Sequence, residues 1–224
     1  MPAWFRKRTS RYQRGYEDRI VDNKRRNKLI ASLILEGRRR GYYNIVLVER
    51  VKHLENVSDL LAGVPHRVVS GSRIIKTSTG SISTKRRHVK VEQRLQSKEK
   101  FEAGNVRVIL ANKVFKKGVD IKRVDVMIDG AGMYSKDDAI QKFGRGVRKH
   151  ADKSGLIYFD ISDITETTGK AAKRNWFAKN AKSRKRAFKK AGIDTLDVDS
   201  RTMTAVEMYD RAERFLKKRL ERKA

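Results

Sequence analysis

The 224-residue chain sets 55 Lys and Arg against 26 Asp and Glu, a formal net charge of +29, with 38% apolar residues and no cysteine. Disulfides, zinc ribbons and thiol catalysis are excluded, and the four histidines, His53, His66, His88 and His150, show no metal-ligand spacing. So large an excess of cations repels itself unless it meets a polyanion, which makes nucleic acid the expected partner. No apolar run of about 18 residues exists to span a bilayer, and residues 1–14 hold no apolar core of secretory length. The expectation is an intracellular, cytoplasmic chain of one or two domains with no membrane partner.

Residues 1–22 are basic and aromatic (Trp4, Arg6, Arg8, Arg11, Tyr12, Tyr16). They read either as a lead-in between lobes or as an arm that pairs with phosphates and stacks on bases. Over 23–41, Leu29 and Leu33, and Ile30 and Ile34, repeat at i and i+4, predicting a helix that stops at Gly41. An unbroken apolar run at 44–48 suits a buried parallel strand. A helix over 54–62, closed by Gly63 and Pro65, and a short strand at 66–70 complete a β-α-β unit with a right-handed crossover.

Residues 71–92 leave two readings open, a hairpin around Thr79-Gly80 or a loop, and the basic run 85–90 is either a solvated face or a contact for a strand backbone. A polar helix over 91–103 ends at Gly104. Residues 106–111 read as the central strand and 124–128 as the next, followed by a helix over 137–149 and a last strand at 156–159. The alternation predicts an α/β fold, a mostly parallel sheet with helices on both faces. From 166 the composition shifts. Ten cations between Lys170 and Lys190 have no acid among them, and a helix over 203–223 carries the stripe Met208, Tyr209, Phe215, Leu216, Leu220, suited to docking on the body or on a partner. The expected division is a lead-in (1–22), an α/β lobe (23–165) and a basic helical extension (166–224).

Two motifs carry the chemistry. Gln141 to Arg148 reads Q-x-x-G-R-x-x-R, and residues three apart on a helix share a face, so Arg145 and Arg148 can present two guanidinium forks to one anionic target. Upstream, V-F-K-K-G-V-D-I (114–121) runs from an apolar strand end into Gly118 and Asp120. In this order the pair resembles motifs V and VI of superfamily 2 helicases. The likeness extends to NIVLVERVKHLE (44–55), to N-x-x-R-N-x-x-I formed by Asn23, Arg26, Asn27 and Ile30, and to GLIYFDISD (155–163). Trp176-Phe177, Arg184 to Arg186 and Phe188 are similar to the terminal helix of UvsW-like and type III restriction-like members. The resemblance spans residues 16–198 and implies a RecA-like C-terminal helicase lobe.

The chain contains no G-x-x-x-x-G-K-[ST] loop. Gly71 to Thr77 offers Lys-Thr, but Ile75 stands at the second glycine's place, where a β-branched side chain blocks the left-handed backbone that wraps phosphates. The resemblance therefore implies half of a motor, inactive alone, with ATP and Mg²⁺ held mainly by an N-terminal Walker A/B lobe on another chain. Arg145 and Arg148 would face the γ-phosphate. Gly118 and Asp120 would line the nucleotide cleft, Asp120 toward the ribose hydroxyl, and Gln141 would couple nucleotide state to lobe position. Gly71, Asn112, Lys113 and Lys116 would touch nucleic acid, DNA ahead of RNA; Asn112 replaces the family's usual threonine. For the arginines, surface ion pairing with Asp137, Asp138 or Asp152 is the plainer reading. For the chain, it is a non-catalytic basic nucleic-acid-binding module. The motor reading fails if both arginines are buried in salt links away from the sheet's carboxyl rim.

Overall fold

Asn23 opens the first long helix. Its side-chain oxygen accepts the Arg26 N–H at 3.0 Å, an N-cap that satisfies one otherwise orphaned donor. A computed structural model of the chain describes residues 12–70, 72–76, 82–88, 91–112, 121–132, 136–148, 150, 153, 155–163 and 176–221. The helices are α1 (Lys24–Arg39), α2 (Val51–Asp59), α3 (Val91–Glu102), α4 (Lys136–Gly146), α5 (Trp176–Lys190) and α6 (Ala205–Glu221). A helical segment from residue 12, finishing in a π-turn at Glu17–Val21, precedes them.

Five strands, β1 (Asn44–Leu47), β2 (Arg67–Val69), β5 (Val108–Ala111), β6 (Val126–Asp129) and β7 (Ile157–Asp160), form one sheet in the order β2-β5-β1-β6-β7, every pairing parallel. The centre is β1, and β5 lies one place toward β2, which corrects its expected central position. Both strands are buried on both faces, so their sequences carry no mark of order. Between the second and third strands of this sheet in chain order, β3 (Ser72–Lys76) and β4 (Ile82–His88) pair antiparallel. The hairpin alternative is thus the one adopted; Thr79 and Gly80 lie outside the described residues.

Alternate side chains of the sheet divide between two cores. Val46, Val48, Leu110 and Ile128 meet Ile30 and Ile34 of α1, Leu54 and Val57 of α2, and Met208 and Tyr209 of α6. Ile45, Leu47, Ile109 and Met127 meet Phe101 of α3 on the other face. The fold is RecA-like α/β with helices on both faces. The described parts of both flanks join it. Tyr16 donates its hydroxyl to Ala131 O at 2.7 Å and clusters with Phe177. Tyr209 donates to Leu33 O at 2.9 Å, and Arg40 pairs with Asp210 at 2.6 Å and Glu213 at 2.8 Å, fixing α6 to α1. A Cβ at Gly37 would meet Asn44 Oδ1 at 2.3 Å and the Tyr209 hydroxyl at 2.4 Å, so the close approach of α6 requires glycine there. Among the described residues no helix is long and apolar enough to cross a membrane.

Two boundaries differ from expectation. Helix α2 begins at Val51, straight after the extended Arg50, three residues before the predicted start. Helix α4 stops at Gly146 rather than 149. Gly144 and Gly146 weaken its last turn, and the Lys153 amine donates to the Gly146 carbonyl, taking an acceptor that a further turn would have used.

Candidate functional site

Helix α4 carries the Q-x-x-G-R-x-x-R motif, and its direction decides what the motif can reach. One turn before its end, Lys142 reaches Asp129, the last residue of β6, and also pairs with Asp138: Lys142 Nζ lies 2.8 Å from Asp129 Oδ2 and 3.2 Å from Asp138 Oδ2. At its end, Gly146 packs on Leu156, just before β7, where a Cβ would meet Leu156 Cδ2 at 2.6 Å. The helix therefore runs antiparallel to β6 and β7. Arg145, half-buried in the last turn, and Arg148, exposed two residues past it, lie at the amino rim of the sheet. Their expected sharing of one helix face is corrected, since α4 ends before Arg148. They do lie away from the carboxyl rim, but neither is buried.

The same rim receives the end of the V-F-K-K-G-V-D-I segment. Ile121 and Val124 are buried with Tyr43, which precedes β1, and Leu156 packs against that cluster. The structure thus brings the finish of the first motif beside the finish of the second. Gly118 and Asp120 lie outside the described residues. Gln141 is exposed on α4.

Of the residues expected to touch nucleic acid, Asn112 belongs to the opposite rim. Asn112 follows β5 directly, and its backbone N–H donates to Val69 O at 3.3 Å at the carboxyl end of β2, so a phosphate contact falls to its side-chain amide. Gly71, Lys113 and Lys116 lie outside the described residues. Strands of four residues, at about 3.3 Å per residue, hold the two rims at least ~10 Å apart.

A buried polar lattice joins α4 and α5 to the sheet, and inspection of motifs missed it. Asp129 accepts the Tyr158 hydroxyl at 3.0 Å and the Ala131 N–H at 3.0 Å as well as the Lys142 amine. Burial by itself pushes the Asp129 carboxyl up, but Lys142, with the Ala131 N–H and the Arg184 charge, holds it below the ordinary range. Burial would likewise lower the Lys142 amine, and Asp129 and Asp138 raise it instead. Both stay charged, as a mutually supported pair. Arg184 of α5 takes Asp160 with Nε at 3.0 Å and Nη2 at 2.8 Å. Phe143 of α4 and Phe188 of α5 meet at 6.1 Å. One signal was available: Lys142 falls on the stripe of Ala139 and Gly146, the buried face of an amphipathic helix, where an amine requires a partner.

The N-x-x-R-N-x-x-I residues have structural roles. Arg26 is ion-paired with Asp163 and donates to Gly130 O at 2.9 Å. Asn27 Nδ2 donates to Val21 O at 2.9 Å, which turns its Oδ1 toward His53 Nε2, also at 2.9 Å. An amide oxygen only accepts, so the His53 proton sits on Nε2, and buried Nδ1 has no hydrogen-bond partner among the described residues. Burial, with the Arg26 charge nearby, lowers the His53 pKa from 6.5 to about 3 and keeps the ring neutral. His66, at the start of β2, bonds Ser58 Oγ at 2.7 Å. No group of three or more His, Asp or Glu side chains that could hold a metal ion occurs among the described residues.

With sheet, motif order and rim geometry in view, the class is defined. Residues 25–150, more than half of the chain, match the helicase conserved C-terminal domain, and the chain belongs to that family. Among curated relatives, ATP-dependent RNA helicase DRS1 of Pyricularia oryzae is 31% identical over 131 residues, covering 58% of this chain and 16% of its own length. ATP-dependent DNA helicase uvsW of Enterobacteria phage T4 is 26% identical over 154 residues, covering 68% of this chain and 28% of its own length. The chain therefore spans well under a third of either relative. The crystal structure of T4 UvsW superimposes with a TM-score of 0.59 at 23% identity, covering 80% of this chain and 35% of that one. The C-terminal domain of the DEAD-box protein Dbp5 gives 0.53 at 16% identity, covering 84% of this chain and 91% of that one.

Proposed function

We propose that the chain is the second motor lobe of an ATP-dependent nucleic-acid helicase or translocase, with the Walker A/B lobe supplied by another chain. The observation that carries this reading is the meeting of the two motif ends at one rim, with Arg148 exposed and Arg145 half-buried there. Phosphoryl transfer needs positive charge where negative charge develops on the γ-phosphate, and guanidinium groups on a lobe that closes over the nucleotide supply it without a proton transfer. Two guanidinium groups at one rim suit the oxygens of a triphosphate. In this reading Arg145 and Arg148 take the γ-phosphate, Gly118 and Asp120 line the cleft, and Gln141 reports nucleotide state to α4. In the same reading Mg²⁺ comes with the triphosphate and is held mainly by the other lobe.

In the same reading Gly71, Asn112, Lys113 and Lys116 form the nucleic-acid track, with Asn112 at the carboxyl rim. DNA is placed ahead of RNA because the uvsW match covers more of this chain than the DRS1 match, and uvsW is named a DNA helicase. The test is reconstitution. Mixed with a Walker A/B lobe and a nucleic-acid strand, the chain should restore ATP hydrolysis, and Arg148→Ala should cut turnover by ~10³–10⁵. Undiminished turnover in both Arg145→Ala and Arg148→Ala would overturn the reading. A second reading, a helicase lobe kept as a basic binding module without turnover, is favoured by the charge of +29. Strand binding with no turnover in any such mixture selects it.

A further inference from the structure

We propose that the outward face of α5 is a second nucleic-acid surface, seated on the phosphate backbone and separate from the carboxyl-rim track. It goes beyond the motor reading and needs neither ATP nor a second lobe. Helix α5 has no acidic residue. Its inner stripe, Phe177, Ala181, Arg184 and Phe188, is buried against the body. Its outer face exposes Lys179, Lys182, Lys185, Arg186, Lys189 and Lys190. Lys185 is ion-paired with Asp197, itself well exposed.

A helix face that serves only solubility mixes signs, because opposite charges at i, i+4 support the helix and like charges strain it by a few tenths of a kcal/mol each. Helix α6 follows that rule: Glu207, Asp210, Glu213 and Glu221 interleave with Arg211, Arg214, Lys217, Lys218 and Arg219. Helix α5 breaks it, setting Lys179 against Lys182, Lys182 against Arg186, and Arg186 against Lys189 and Lys190. Repulsion of that kind is relieved by a polyanion. From Lys179 to Lys190 the face runs ~16 Å at 1.5 Å per residue, the length of about five phosphates on one strand.

The face is also held rigidly, which lowers the ordering cost of binding. The Arg184–Asp160 fork and the Phe188, Phe143 and Tyr158 cluster lock its back to β7 and α4. Other polyanions fit less well. The helix has already turned Phe177 and Phe188 inward, so it keeps no apolar stripe for a bilayer. Trp176 leans on Tyr12 at 5.5 Å, and the outer face offers no aromatic or aliphatic anchor of the kind that fastens a protein partner.

The test uses the full chain and a fluorescein-labelled 20-nucleotide single strand, as DNA and as RNA, followed by anisotropy between about 50 and 200 mM KCl. One variant carries Lys182→Gln, Arg186→Gln, Lys189→Gln and Lys190→Gln. A charge-matched control carries Arg211→Gln, Arg214→Gln, Lys217→Gln and Lys218→Gln on α6. Each lost phosphate contact flattens the slope of log affinity against log salt by ~0.7 for a single strand, so the α5 variant should lose ~3 from its slope and the control much less. Circular dichroism should stay unchanged, and the Arg186→Gln, Lys189→Gln double variant, with about half the slope loss, serves if the quadruple variant misfolds. Equal slopes for the α5 variant and the control, or a slope unchanged from the parent chain, would sink the proposal. So would displacement of the strand from α5 by polyglutamate of equal charge, which would point to an acidic protein instead. The motor reading survives all three outcomes, because it rests on turnover by Arg145 and Arg148.

Discussion

Helices α4 and α5 touch through Phe143 and Phe188, yet they treat positive charge in opposite ways. Helix α4 sinks Lys142 into the interior and surrounds it with Asp129 and Asp138. Helix α5 sinks only Arg184, forked on Asp160, and turns six cations to water. Inside, a charge survives only when its partners offset desolvation, so it fixes position and contributes little net stability. Outside, it costs almost nothing to keep and is available to a polyanion. Side by side, one helix aims the arginine-bearing motif and the other offers charge beside it. His53 shows a third solution: burial and the nearby Arg26 charge outweigh the opposing pull of Asp22, and it stays neutral.

The sharpest way to break this comparison is to remove one member of the buried pair. Lys142→Met strands Asp129 as a buried charge and should cost ~3–5 kcal/mol of unfolding free energy, measured by urea titration. Adding Asp129→Leu to it should restore much of the loss, because neither charge then remains; a double variant as unstable as the sum of the singles would show that the pair is not coupled. Lys182→Met on the outer face of α5 should change stability by no more than about 0.5 kcal/mol.

The neutral histidine gives the next largest effect, and it depends on pH. Unfolded His53 takes up a proton below its ordinary pKa of 6.5, whereas the folded ring resists protonation until about 3. Its contribution is therefore complete above 6.5 and declines as the pH falls from 6.5 toward 3, at up to ~1.4 kcal/mol per unit. His53→Gln should flatten that part of the stability profile; an unaltered slope between pH 6.5 and 5 would show that the ring titrates normally in the fold. A smaller loss belongs to a cap at the helix boundary. Asn23→Ala should cost ~1 kcal/mol, seen as a lowered thermal midpoint, and a midpoint equal to that of the parent chain would mean that water replaces the cap at no cost.

Legibility followed the range of the interactions. Helix α1 was plain from Leu29, Ile30, Leu33 and Ile34, since its period is a local property, and Asn23 marked its start. The parallel sheet was plain from apolar runs spaced by helices. The order of the sheet was not: β1 and β5 carry equally buried runs, and only pairing partners tell them apart. The length of α4 was misjudged because the Lys153 amine that meets its last carbonyls comes from beyond the helix, in a segment with no pattern of its own. Of the candidate site, the Arg145 and Arg148 pair was read from spacing and, with Gln141, from the resemblance to a helicase motif, but the rim they occupy was not. A motif states which residues follow one another and is silent on which end of a strand they reach.

Composition, hydrophobic period and motif order, all properties readable along the chain, determined the α/β class, the basic character and membership of the helicase C-terminal family. The three-dimensional arrangement alone decided that the arginines and Asn112 stand at opposite rims, that Lys142 is an interior residue, and that α6 completes the main core. The reason is that each of these depends on residues distant in the chain meeting in space. Asp129 with Lys142, Arg184 with Asp160 and Tyr209 with Leu33 are paired by packing and desolvation, which no local pattern encodes.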